Sequence, residues 1–127
     1  MYLSVGDEFT VERTFYKEDV ERFVEISGDR NPPHIIPDEK GRLLVHGLLT
    51  ATLPTIIGGR YHVIGRTVEY NFSALVYTGD CISCSCTVTD VEKRDYGTKV
   101  RVEFRCKNQD EITVLTGYFF GIIFEAN

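Results

Sequence analysis

The stretch from His46 to Gly58 constrains the fold more than any other part of the sequence. It is apolar on nearly all sides when drawn as a helix, which predicts a buried central helix rather than a surface one. From Tyr61 onward the pattern is that of β-strands. One long apolar helix followed by an antiparallel meander predicts an α+β fold in which the sheet wraps the helix.

Alternation with a period of two defines the strands of this meander. In the 97–107 segment the apolar positions fall on one face and the charged positions on the other. The inward residues are Val100, Val102, Phe104 and Cys106, and the outward residues are Arg101, Glu103 and Arg105. Strands are predicted near 9–13, 65–72, 81–92, 97–107 and 111–124, and an amphipathic helix over 17–27, where Val20, Phe23, Val24 and Ser27 share one face.

Two features conflict with one continuous central helix. Pro54 has no N–H for the i→i−4 bond, so we expect a kink there, or an end near Leu53 followed by one tight turn. The pair Gly58-Gly59 is expected to end the helix.

Composition and charge exclude several classes of protein. At 127 residues, with 43% hydrophobic and 26% charged residues, the chain is expected to form one globular domain over 1–127. A net charge of −5 without a Lys/Arg cluster argues against nucleic-acid binding. No apolar run is long enough to span a membrane, and the N-terminus lacks a signal-peptide pattern, so we expect a cytoplasmic protein.

The four cysteines raise the alternative of a metal site. However, the 81–88 segment alternates like a strand and has no Gly or Pro to form the tight turn of a zinc knuckle. Cys84 and Cys86 would share an apolar face while Cys81 points to the other side. We therefore expect reduced cysteines that act as small core residues, and no metal.

The loop Ser27-Gly28-Asp29-Arg30-Asn31-Pro32-Pro33-His34 follows the first helix and admits two interpretations. Its glycine, asparagine and prolines are those of an ordinary helix stop and turn. The prolines also make the loop stiff, and a stiff loop that holds Asp29 and His34 suits proton-transfer chemistry.

The order of residues in this loop favours the second interpretation. Ser-Gly-Asp-x-Asn-Pro-x-His, followed by Val45-His46-Gly47-Leu48-Leu49, resembles the signature of the MaoC-like, (R)-specific enoyl-CoA hydratase family of hot-dog dehydratases. A second block agrees with it, since residues 72–82 match an aromatic-x-Ala-x-Val-x-x-Gly-Asp-x-Ile pattern. The resemblance covers nearly the whole chain and implies a single hot-dog domain.

The resemblance implies a hydratase or dehydratase that interconverts a trans-2-enoyl thioester and a (3R)-3-hydroxyacyl thioester by acid–base addition of water. It assigns the catalytic water to Asp29 and His34, with Asp29 the preferred base. The backbone N–H of Gly47, at the start of the central helix, is assigned to the developing oxyanion, a role that suits an unpaired N–H at the positive end of a helix. The alternative is that Gly47 only permits tight packing.

Three further residues are expected to support the site. In the family a small hydroxyl residue holds the catalytic Asp, and Thr55 stands at that position. Asn31 is expected to cap or brace the loop rather than to react. His46 is expected to brace the start of the central helix, and the alternative is a role as a ligand or a catalyst.

The resemblance also implies an oligomeric state and a substrate class, and two alternative functions compete with it. It implies a homodimer, with higher oligomers open, that acts on acyl-CoA or acyl-carrier-protein thioesters without a further cofactor. A thioesterase would want a carboxylate on the central helix, and residues 46–58 contain none. A non-catalytic acyl-thioester-binding module, or a subunit of a heteromeric dehydratase, remains the alternative.

The segment 35–45 is shorter than in family members and has Ile36 where they have Asp, which bears on how the substrate is covered.

Overall fold

The computed structural model describes residues 2–125, which form an antiparallel sheet with helices against it. The elements in chain order are β1 (Glu8–Thr14), α1 (Lys17–Ser27), α2 (Pro32–Ile35), α3 (Gly47–Thr50), α4 (Thr52–Arg60), β2 (Ile64–Phe72), β3 (Cys81–Arg94), β4 (Gly97–Lys107) and β5 (Thr113–Phe124). The strand order is β1-β3-β4-β5-β2, and every neighbouring pair is antiparallel. This is the predicted α+β hot-dog fold.

The core lies between the sheet and helices α1 and α4. Val20 and Val24 of α1 and Leu53 and Ile57 of α4 are buried, whereas Ser27 at the end of α1 is exposed. The β4 prediction is confirmed, since Val100, Val102, Phe104 and Cys106 are all buried.

No helix within residues 2–125 has both the length and the apolar character needed to span a bilayer.

The central helix differs from its prediction in two ways. It is divided at Ala51, one turn before Pro54, because the ring of a proline disturbs the carbonyl four residues earlier and leaves it without a donor. The second segment continues through Gly58 and Gly59 to Arg60, so the expectation that these glycines end the helix is wrong. Burial of Leu53 and Ile57 outweighs a cost of about 1 kcal/mol for each glycine.

The cysteines take the predicted positions. Ile82, Cys84, Cys86 and Val88 are fully buried on one face of β3, and all four cysteines are free. Cys84 lies opposite Cys106 on β4. The hydrogen bond with Cys106 is the main cause that raises the pKa of the Cys84 thiol, and burial adds to it. Hydrogen bonding and burial likewise raise the pKa of Cys86, so these two thiols stay protonated. Among residues 2–125 the cysteines form no group with metal-ligand spacing.

Gly117 of β5 is required by close packing of the sheet, and its replacement tests the fold. A Cβ at this position would overlap the carbonyl oxygen of Glu69 on β2 and lie 2.9 Å from the ring of Phe104. We expect Gly117→Ala to lower the free energy of unfolding by about 1–3 kcal/mol in urea denaturation.

Gly59→Ala is the matched control for this substitution. A Cβ at Gly59, within α4, would meet nothing within 4 Å. The added methyl is therefore expected to leave stability unchanged or to raise it by up to about 1 kcal/mol. Equal losses from the two substitutions would contradict the packing explanation.

Candidate active site

The turn after α1 places the first acidic residue of the site. Gly28 adopts a left-handed conformation with φ 73° and donates its N–H to Val24, which ends the helix. The next N–H, that of Asp29, donates to the Ser27 hydroxyl at 3.0 Å. The chain therefore leaves the helix along a defined path.

The carboxylate of Asp29 is oriented by the loop itself. Its Oδ1 accepts the backbone N–H of Asn31 at 3.1 Å, an Asx turn that leaves Oδ2 free to face His34. Asn31 thus braces the loop through its backbone, whereas its side chain makes no capping hydrogen bond to α2. Asp29 remains about half exposed, at 48% of its side-chain surface.

His34 is buried and held by the returning chain. Pro32 and Pro33 begin the short helix α2, and His34 lies on its inner side with 7% of its surface exposed. Its Nδ1 lies 2.7 Å from the carbonyl oxygen of Leu44. Since a carbonyl can only accept, Nδ1 carries the proton, and Nε2 is the atom that faces Asp29.

The short 35–45 segment makes this arrangement possible. Asp38 accepts hydrogen bonds from the backbone and guanidinium of Arg42, which closes a tight turn. Leu44 then donates its N–H to Pro33 at 2.9 Å and accepts from His34. The short connection therefore brings Leu44 directly against the loop that carries the acid and the base.

Asp29 and His34 both line one apolar cavity. His34 Nε2 and Asp29 Oδ2 are 3.7 Å apart, too long for a direct hydrogen bond and a suitable span for a water molecule that contacts both. The cavity has a volume of about 500 Å³. Its lining combines these two side chains with Phe23, Leu44, Val45, His46, Gly47, Leu48, Thr50, Phe72, Ala74, Leu75, Val76 and Val114, and with Ser27.

Gly47 also lines this cavity, as the first residue of α3. A residue at the first helical position has no acceptor for its N–H within the helix. A Cβ on Gly47 would lie 2.7 Å from the Phe72 ring, so that ring packs directly on the glycine. The structure therefore brings Asp29, His34 and Gly47 to one cavity.

His46 lies beside this group and contacts both Asp29 and His34. Its Nε2 is 3.1 Å from the backbone carbonyl of Asp29, and its ring stacks on that of His34 with centroids 3.6 Å apart and planes 13° from parallel. The tilted ring of Phe23 covers it at 4.8 Å. His46 is 3% exposed.

The three residues Asp29, His34 and His46 have ligand atoms within 4.8 Å of one another, which is a spacing compatible with a metal ion. The stacking of the two rings opposes that use. Nitrogen lone pairs lie in the ring plane, and two nearly parallel planes 3.6 Å apart cannot both direct a lone pair at one ion unless a ring rotates. The arrangement suits proton transfer better than metal binding.

Burial lowers the pKa of His46 below its ordinary value of 6.5. The neighbouring His34 also lowers it, whereas the Asp29 carbonyl and carboxylate oppose the shift. Below about pH 6.5 the unfolded chain can take up a proton at this residue that the folded protein resists. The free energy of unfolding is therefore expected to fall as the pH drops below that value.

Urea denaturation at pH 7.5 and pH 5.5 measures this effect. The loss on acidification should be smaller in His46→Gln than in the wild type, since the variant lacks the titrating group. The loss of unfolding free energy in the wild type should exceed that in His46→Gln by no more than about 1.4 kcal/mol for each pH unit. An equal loss in both proteins would contradict this assignment.

Thr55 does not take the expected position. Its hydroxyl donates to the Ala51 carbonyl at 3.1 Å, and it lines a second, largely apolar cavity of about 320 Å³ that contains neither Asp29 nor Gly47. Within residues 2–125 the expected hydrogen bond between Thr55 and Asp29 is not formed. Thr55 lies eight residues after Gly47, a spacing that would put both on one face of a continuous helix. The break at Ala51 places them in two helical segments, so they do not share a face.

The fold is shared with solved (R)-hydratases. The (R)-hydratase PhaJ1 of Pseudomonas aeruginosa superimposes with a TM-score of 0.83 at 24% identity, over 98% of this chain and 84% of that one. The (R)-hydratase of A. caviae involved in PHA biosynthesis gives a TM-score of 0.81 at 24% identity, over 93% and 95% of the two chains. A search against models of protein families finds no match.

A sequence relative shows the family. The chain is 32% identical over 131 residues to the mitochondrial 3-hydroxyacyl-[acyl-carrier-protein] dehydratase of Arabidopsis thaliana, which covers 95% of this chain and 78% of the relative. The chain belongs to the MaoC-like hydratase and dehydratase family.

Two features of this MaoC-like site were missed from the sequence. The Phe72 ring packs on Gly47 although the residues are 25 positions apart, and no local pattern connects them. His46 was expected to brace the helix start or to act as a ligand or catalyst, and its stacking on His34 was not predicted. The available signal was His46 itself, because a buried histidine in an apolar stretch requires a hydrogen-bond partner.

Proposed function

We propose that this chain is a hydro-lyase that interconverts a trans-2-enoyl thioester and the (3R)-3-hydroxyacyl thioester. The observation that carries the proposal is that a carboxylate and an imidazole 3.7 Å apart line the same apolar cavity as the first residue of a helix. An apolar cavity suits an acyl chain, and the paired polar groups suit a water molecule.

Hydration requires a C3–O bond and a C2–H bond to form as the C2=C3 double bond is lost. In the proposed mechanism Asp29 takes a proton from the water that attacks C3, and the Asp29–His34 pair delivers a proton to C2. The Leu44 carbonyl holds His34 Nδ1–H, so Nε2 remains directed at the water and Asp29. Dehydration follows the same steps in reverse.

The thioester oxygen becomes negative as the enolate develops. We assign its stabilisation to the backbone N–H of Gly47, which lies in the same cavity and is directed away from the helix that follows it. The missing side chain allows the thioester to approach the backbone. The Phe72 ring above Gly47 adds an apolar wall to the same position.

The proposal includes a homodimer. The edge strand β2 is exposed over nearly all its length, and its apolar residues Ile64, Val68 and Phe72 are 57%, 46% and 51% exposed. An uncovered apolar edge strand is a site at which a second sheet can pair. Light scattering after gel filtration measures the mass of the assembly.

The substrate is proposed to arrive as a CoA or acyl-carrier-protein thioester, and the mechanism above uses no further cofactor. A cytoplasmic location is part of the proposal and is supported by four cysteines without a disulfide. The Arabidopsis relative is named as a mitochondrial protein.

The decisive experiment follows the loss of conjugated thioester absorbance when the protein is added to crotonyl-CoA. A longer enoyl-CoA and an enoyl-acyl-carrier protein are the parallel substrates. Hydration is expected without release of free thiol, which separates the proposed activity from thioester hydrolysis. A protein that binds these thioesters but leaves them unchanged would instead be an acyl-thioester-binding module or a subunit that needs a partner.

A further inference from the structure

His46 contacts every part of the proposed catalytic arrangement. Its ring stacks on His34 at 3.6 Å, its Nε2 lies 3.1 Å from the Asp29 carbonyl oxygen, and Gly47 is its neighbour in the chain. Phe23 packs on the ring at a centroid distance of 4.8 Å. The acid, the base and the helix start are therefore joined through one buried side chain.

The protonation pattern of His46 follows from its contacts. The Asp29 carbonyl can only accept, so the proton of the neutral ring is on Nε2. Nδ1 is then the unprotonated nitrogen, and it is buried without a hydrogen-bond partner among residues 2–125. A second proton would have to enter at this nitrogen, which has no acceptor beside it, and burial lowers the pKa of the ring accordingly.

A neutral, fixed ring suits positioning rather than proton transfer. Nε2 is occupied by a backbone carbonyl, and Nδ1 is enclosed by protein, so neither nitrogen is available to a substrate. The stacked face, by contrast, restricts rotation of the His34 ring, which also donates a hydrogen bond to the Leu44 carbonyl. The His46 Nε2–H bond to the Asp29 carbonyl oxygen adds a restraint to a residue whose side chain is half exposed.

We propose that His46 is a positioning residue, which fixes the His34 imidazole by stacking and the Asp29 loop by a hydrogen bond. The inference rests on the proposed hydratase function. Proton transfer depends steeply on the relative placement of acid, base and substrate, and a displacement of about 1 Å can lower a rate a hundredfold. His46 therefore acts on the reaction through its two neighbours.

Two substitutions separate the two contacts. His46→Phe keeps an aromatic ring over His34 and removes the N–H donor. His46→Gln keeps an N–H donor near the position of Nε2 and removes the ring. His62→Asn is the control, because His62 is an exposed histidine in a turn after α4, with φ 61°, a conformation that Asn tolerates well.

Steady-state kinetics on crotonyl-CoA give the first readout, at a temperature well below the melting transition of each variant. Each His46 variant is expected to lose about tenfold or more in kcat, while KM changes less than about threefold. His62→Asn should retain wild-type values. A role limited to stability would lower the melting temperature and leave kcat of the folded protein unchanged.

Nitrogen-15 spectra of the imidazole rings give a second readout that needs no turnover, and the chain has three histidines to assign. The wild type should show His34 protonated at Nδ1 and His46 at Nε2. In His46→Gln the His34 signals should move toward an average of the two tautomers.

The two readouts distinguish the inference from the function on which it rests. A wild type that turns over no enoyl thioester would refute the proposed function, and the spectra would still test His46. Unchanged His34 signals in His46→Gln, or kcat within about twofold of wild type in both His46 variants, would refute the positioning role.

Discussion

Asp29→Asn is expected to lower kcat/KM for hydration of crotonyl-CoA by a factor on the order of 10² to 10⁴. The amide keeps the shape of the side chain and its hydrogen bond from the Asn31 N–H, but it cannot take a proton from water. Because Asp29 is half exposed and stabilises little besides its own loop, the variant should fold normally. Activity would therefore be lost without a matching loss of stability.

His34→Ala tests the second member of the pair. The loss of kcat/KM in this variant should be similar to that in Asp29→Asn, since it removes the imidazole that faces Asp29 at 3.7 Å. The double variant should be little worse than the poorer single variant, because residues that act as a unit are not additive. Fully multiplicative losses would instead indicate two independent roles.

Asp110→Asn is the control for the loss of one carboxylate. Asp110 is exposed at the turn before β5, and only its backbone N–H, bonded to Asn108, takes part in that turn. Activity within about twofold of wild type is expected. An Asp29→Asn variant that kept more than about a fifth of wild-type kcat/KM would contradict the assignment of Asp29 as the base.

Gly47→Ala is expected to have the second largest effect, a loss of kcat/KM on the order of tenfold to a hundredfold. The new Cβ would lie 2.7 Å from the Phe72 ring and would add bulk beside the N–H that we assign to the oxyanion. Phe72 is 51% exposed, so its ring can move aside, and the folded protein should lose little stability. The expected result is an active-site defect in a normally folded variant.

A second substitution separates the two causes of this defect. Gly47→Ala combined with Phe72→Leu removes the ring that the methyl contacts. If the methyl blocks the N–H directly, the double variant stays as inactive as Gly47→Ala. Recovery of wild-type activity would show that displacement of Phe72 caused the loss. Gly59→Ala, a glycine-to-alanine change in α4 with open space around it, should leave activity unchanged.

The elements of this fold were predictable where local pattern and burial agree. Period-two alternation placed β4 and the inward face of β3 correctly, because a strand that buries one face must alternate. The apolar spacing over 17–27 predicted α1 with its bounds, since its buried stripe, Gly28 and following prolines all point to the same helix. These signals lie within a few residues of the structure they determine.

The central helix was harder to predict for a physical reason. Pro54 signalled a disturbance, but its effect appears one turn earlier, where the first segment ends at Thr50. The N–H that Pro54 lacks would have donated to the carbonyl of Thr50, which is residue i−4. The glycines Gly58 and Gly59 are intrinsically poor helix residues, yet burial of Leu53 and Ile57 keeps them helical. Tertiary packing thus overrode the local tendency of the two glycines to end the helix.

By itself, the sequence determined the fold class, the family, and the three residues Asp29, His34 and Gly47 that share the cavity. The reason is that strand alternation, helix caps and stiff loops are properties of short stretches of sequence. The 27–34 loop combines a glycine cap, two prolines and the ordered Asp29 and His34 within eight residues. Only the tertiary structure decided the stacking of His46 on His34, the packing of Phe72 on Gly47, and the separation of Thr55 from Asp29. Each of these depends on how distant segments approach one another, which is set by side-chain packing in the core and not by spacing along the chain.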